Sequence, residues 1–171
     1  MARLLRLAGL ITALNARIGR AVSWLALAMV AIYFAVVLLR YLFSTGSIAL
    51  QESVTYLHAT LFMLAAAWTL IRDGHVRVDI FYSRWGARAK DWADLAGSLL
   101  FLLPVALFLF AASLGFVADA WRIREASAQP GGLPYVYLLK TLILVMTAQL
   151  VLQALAQALS LVARLRGSRD A

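Results

Sequence analysis

The chain has no cysteine. Disulfides, thiolate metal sites and cysteine nucleophiles are therefore excluded, while the redox compartment stays open. Charge is scarce as well. Only 14% of residues are charged and 64% are hydrophobic, against about 25% and about 45–50% in soluble domains. A soluble protein of that composition has too little polar surface to cover itself, so the excess faces lipid or a partner. Histidine is almost missing: His58 and His75 stand 17 positions apart, roughly 25 Å along a continuous helix. One helix cannot offer both to a single haem iron, and no third histidine exists to pair with either. His75 and Asp79, at i and i+4, supply two ligands if helical, too few for a firm metal site. The sequence also lacks a Ser/His/Asp grouping, a phosphate-binding glycine loop and paired intramembrane carboxylates. No catalytic residue, substrate ligand, cofactor or metal site is expected, and the chain does not read as an enzyme.

What is present is apolar sequence in long runs. Four uncharged spans, 21–39, 53–71, 95–118 and 141–163, are each long enough to cross a bilayer core of about 30 Å. The fold class that follows is all-α and integral to the membrane, a single domain over residues 1–171. The net charge of +8 does not point to nucleic acid, because the basic residues flank apolar runs instead of forming a patch on a polar fold.

The segments between the spans have their own patterns. In residues 1–20, Leu4, Leu7, Ile11, Leu14 and Ile18 step by three and four, while Arg3, Arg6, Arg17 and Arg20 share another face. The pattern predicts an amphipathic interfacial helix with its leucines in the acyl region and its arginines at lipid phosphates. A disordered basic tail is the plainer alternative. A signal peptide fits less well, because Arg17 and Arg20 follow the short apolar run where a cleavage site belongs. Residues 75–80 alternate in polarity and read as a linker on the interface. Trp85 and Trp92 with Arg84, Arg88 and Lys90 suit a helix along the headgroups, so the connection between spans two and three is amphipathic. Pro104 predicts a modest kink relieved by local adjustment. Ala93/Gly97 and Ala111/Gly115 are spaced for close helix approach, and Gln149, Gln153 and Gln157 form a ladder suited to interhelical hydrogen bonds.

Orientation follows from the basic residues. Twelve lie at the amino terminus, the 72–94 connection and the carboxyl terminus, and four in the 40–52 and 119–140 connections. The positive-inside rule then places both termini in the cytoplasm. His58 is the one titratable group well inside a span. It is expected to be buried and bonded across a helix interface, with proton relay or haem ligation as the sharper alternatives.

Read together, Arg40-Tyr41-x-Phe43, Gln51-Glu52, Tyr56, His58, Phe62, Ala65-Ala66-Ala67 and His75-Val76-Arg77-Val78-Asp79-Ile80 resemble the small membrane subunit of tripartite ATP-independent periplasmic (TRAP) transporters. Trp121, Glu125, Ser127, Pro130-Gly131-Gly132-Leu133-Pro134 and Lys140 are similar to that family's second outward loop. The resemblance covers residues 40–140. It implies a bacterial inner-membrane scaffold that braces a large multi-span permease, while a periplasmic binding protein delivers an organic acid for sodium-driven uptake. It also implies that Arg40, Glu52, Tyr56, His58, Arg72, His75, Arg77, Asp79, Trp121, Glu125, Gly132, Pro134 and Lys140 are candidates for partner contact. Membrane lipids complete the expected surroundings. A second reading makes the chain an autonomous homodimeric transporter with Glu52 as coupling carboxylate, although Glu52 lies at the edge of its span.

Overall fold

The computed structural model describes residues 2–74 and 82–167. The alternating string 75–80, with candidates His75, Arg77 and Asp79, lies outside the described residues. Helices account for the architecture: α1 (Ala2–Ser23), α2 (Leu25–Phe43), α3 (Ile48–Ile71), α4 (Ala87–Gly97), a π-helical turn (Ser98–Leu102), α5 (Leu103–Arg122) and α6 (Val136–Gly167). No strand occurs among the described residues. Among the described residues four helical stretches are long and apolar enough to cross a membrane: Ala2–Phe43, Ile48–Ile71, Ala87–Arg122 and Val136–Arg166.

Local chemistry sets the boundaries. Ser44 closes α2 in a left-handed conformation (φ 50°), its amide bonded to the Leu39 carbonyl, a common way for a helix to end. Three residues later the Ser47 hydroxyl caps α3, accepting from the Leu50 amide at 3.3 Å, as serine does at an N-cap. The second span therefore begins at Ile48, before the uncharged run, and takes Glu52 into the helix. Pro104 has no amide, and its ring would press on the carbonyl four residues back in a regular helix. The chain relieves this with the π turn just ahead of it, where the Leu103 amide reaches back to Ser98. The local adjustment expected at Pro104 takes this form.

Two helices organise the bundle. The second span, α3, packs on α1, α2 and α6, while α6 packs on α1, α3, α4 and α5. Contacts are tight where residues are small: Ala67, Ala106, Ala120, Ala154, Ala156 and Ala158 are all buried. Near the far end of α6, Leu95 of α4 packs with Ala158, Leu161 and Leu165. In hydrocarbon, where lipid tails are as apolar as leucine, such close packing and interhelical hydrogen bonds supply the association energy.

The amino-terminal helix departs from its expected setting in one respect. It is helical, and Leu4, Leu7 and Leu14 are indeed exposed, but a second line of residues docks it. Ala8, Asn15 and Gly19 are buried, and α1 packs against α3 and α6. The Asn15 amide donates to Gln153 Oε1 at 3.0 Å, and Gln153 Nε2 donates to Thr12 Oγ1 at 3.3 Å. A Cβ on Gly19 would overlap the Trp68 side chain. The first span does not start afresh at 21; the helix is interrupted only at Trp24.

Two other expectations are corrected. Gln153 makes the interhelical bonds expected of the glutamine ladder, whereas the Gln149 amide is buried with no hydrogen-bond partner among the described residues. Gly97 and Gly115 are not points of helix approach within this chain: a Cβ at either would meet nothing within 4 Å.

Candidate functional site

At the end carrying the 44–47 and 123–135 connections, a carboxylate organises the longer loop. Glu52 Oε2 accepts the Leu133 amide at 2.6 Å, and Glu52 Oε1 accepts the Ser127 hydroxyl. The loop closes on itself as well. The Ser127 amide donates to the Leu133 carbonyl at 3.1 Å, the Gly132 amide to the Gln129 carbonyl at 3.0 Å, and the Gln129 amide to Ser127 Oγ at 3.1 Å. Gly131 adopts φ +77°, a conformation that glycine takes without steric cost. Gly132 is required for a different reason: a Cβ there would lie 2.7 Å from Glu52 Oε1.

The flanks of the loop are held by a second set of contacts. Arg124 at φ 50° turns the chain out of α5, and the following Glu125 amide bonds back to the Ala120 carbonyl at 2.9 Å. Glu125 then forms an ion pair with Lys140 of α6. Trp121 Nε1 donates to Thr141 Oγ1 at 2.8 Å and its ring meets Tyr137 edge-on at 4.8 Å. The Arg124 guanidinium lies 5.4 Å and 5.5 Å from those two ring centres, within cation–π range. Pro134 follows Leu133 and leads into α6. Five of the residues selected from sequence (Glu52, Trp121, Glu125, Gly132 and Lys140) thus converge on one loop, and they bind it to their own chain. Ser127 Oγ and the Leu133 amide are the partners that the choice of candidates missed.

The other candidates face elsewhere. On α3, Gln51, Thr55 and His58 are exposed along one face and lead to Phe62, which is 69% exposed. His58 stacks on Phe62 with ring centres 6.5 Å apart, so within this chain it is not the buried, cross-helix residue expected. Tyr56 faces inward and its hydroxyl is buried. Arg40 is exposed on α2, beside a shallow cleft that Tyr33, Tyr41 and Gln51 also line. Arg72, at the opposite end of α3, lies 5.6 Å from the centre of the Trp68 ring. No group of three or more histidine, aspartate or glutamate side chains suited to a metal occurs among the described residues.

A spanning bundle with a carboxylate-held loop at one end can be compared with known families. A family model described as tripartite ATP-independent periplasmic transporters, DctQ component, matches residues 29–164. The chain belongs to the DctQ family. The match runs from Met29 within α2 to Arg164 within α6, taking in the loop held by Glu52, and it starts beyond α1. Comparisons with curated proteins and with solved structures returned no match. A DctQ protein is the small membrane subunit of a TRAP transporter and works with a large permease and a binding protein. It is a transport component, and this one is a multi-pass membrane protein.

Proposed function

We propose that this chain is the bracing subunit of a sodium-coupled, binding-protein-dependent TRAP transporter for organic acids or related solutes. The observation that carries this reading is the exposed stripe Gln51, Thr55 and His58 on a spanning helix. The Thr55 hydroxyl and the His58 imidazole lie inside the edge marked by Glu52, where polar groups are costly against lipid and are normally turned toward protein. Among the described residues no helix covers the stripe, and we read it as the face presented to the large permease. Arg40 and Arg72 flank it on the same chain, and His75, Arg77 and Asp79 remain candidates for partner contact by the family resemblance alone.

The chain acts as one membrane domain in the bacterial inner membrane, with both termini cytoplasmic. The excess of basic residues at the α1, 72–94 and carboxyl-terminal end supports that orientation. The loop held by Glu52 then faces outward. Its rim, shaped by Trp121, Glu125, Gly132, Pro134 and Lys140, is where the binding protein rests transiently.

The autonomous-transporter reading is not favoured. Both oxygens of Glu52 accept hydrogen bonds from the loop, which suits a structural carboxylate better than one exchanging cations on each cycle. Proteoliposomes test the choice. The chain alone is expected to give no sodium- or proton-driven uptake, and uptake is expected only with the large permease and binding protein present. Coupled uptake by the chain alone would overturn the bracing role.

A further inference from the structure

We propose that the junction of α4 with the carboxyl-terminal end of α6 is a binding site for an anionic phospholipid. A cleft of about 240 Å³ opens there, lined by Arg88, Trp92 and Leu95 from α4 and by Val162, Leu165 and Arg166 from α6. On each helix the arginine shares a face with the apolar residues, at i, i+4 and i+7 on α4 and at i+4, i+3 and i on α6. Two cations therefore border a floor made of leucine, valine and indole.

Charge complementarity selects the occupant. The nearby carboxylate Asp91 is already paired with Arg164 at 2.9 Å. Arg88 and Arg166 make no ion pair among the described residues, and both are exposed. Two arginines at the edge of an apolar cleft fit a phosphodiester, since guanidinium groups bind phosphate oxygens in a fixed fork geometry. A free anion would gain nothing from the rest of the lining. An acyl chain would, because the apolar surface continues past Trp92 over Ala89, Ala93 and Trp85. Trp92 is 54% exposed and Trp85 45%, as expected of indoles that sit at headgroup level. Basic clefts between membrane helices are suited to acidic headgroups in this way. The assignment does not depend on the large permease or on what is transported.

Native mass spectrometry of the full chain in mixed micelles tests it, with phosphatidylglycerol, phosphatidylcholine and inorganic phosphate as the probes. Phosphatidylglycerol is expected to be retained in preference to phosphatidylcholine. Replacing both cations (Arg88→Gln with Arg166→Gln) is expected to weaken its binding roughly tenfold. Arg88→Lys with Arg166→Lys is expected to retain most of the preference. Arg122→Gln, which removes a cation at the opposite end of α5, is expected to leave it unchanged. Equal retention of the two lipids, an undiminished preference in the folded glutamine variant, or displacement of the lipid by equimolar phosphate would each overturn the assignment.

Discussion

Leu133 lies 81 positions beyond Glu52, yet its amide donates a 2.6 Å hydrogen bond to Glu52 Oε2. A carboxylate near the start of the second span thereby fixes the loop that joins the last two. Anionic acceptors make stronger hydrogen bonds than neutral ones, and here one carboxylate takes up a backbone amide and a hydroxyl of the same loop.

Removing that carboxylate is expected to free the loop while leaving the helices in place. Glu52→Ala should be cleaved within residues 123–135 several-fold faster by an added protease than the parent chain, with helix content by circular dichroism unchanged. Glu52→Gln should fall between the two, because its amide oxygen still accepts one of the bonds. Identical cleavage rates for all three chains would mean that the carboxylate does not hold the loop.

Gly132→Ala should act through the same contact. The added methyl would collide with both Ser127 and Glu52 Oε1, pushing the loop away from its acceptor. Residues that act in one network give non-additive effects. The double variant Glu52→Ala with Gly132→Ala is therefore expected to be cleaved little faster than the more sensitive single variant. Multiplicative acceleration would separate the two residues.

The amino-terminal helix offers a second cycle. Asn15 and Gln153 are buried and bonded to each other across 138 positions of sequence. Asn15→Leu alone leaves Gln153 short of a partner, so it should lower the thermal midpoint, at a cost of about 0.5–2 kcal/mol. Asn15→Leu with Gln153→Leu should cost less than the two single changes added together, since no amide is then left unsatisfied. Strict additivity in detergent unfolding would show that the hydrogen bond contributes nothing.

The spans were legible in the sequence because length and hydropathy alone decide them. Pro104 likewise signalled a local adjustment. Helix contacts inside the bundle were harder to see. On α1 the conspicuous stripe of leucines is exposed, and docking falls to Ala8, Thr12, Asn15 and Gly19, a line too small and too polar to stand out against apolar periodicity. Ala111 and Gly115 show the reverse: the spacing is right, but no described helix lies against Gly115. His58 misled for a related reason. Sequence shows that a polar residue within a span needs protein around it, but cannot say whether that protein is its own chain. The Glu52 carboxylate was picked out by type, while its use depended on a loop 81 residues away.

The most direct test of the bracing role uses the absence of cysteine in the chain. A single His58→Cys variant, labelled with a photoactivatable maleimide and co-expressed with the large permease, should cross-link to that permease. Phe108→Cys, on α5 beside exposed Val105 and Leu107 and itself 70% exposed, should cross-link little. Strong cross-linking at 58 and weak cross-linking at 108 is the expected result. An intact complex with no cross-link at 58, or with equal cross-linking at both positions, would contradict the assignment of the α3 stripe as the bracing face.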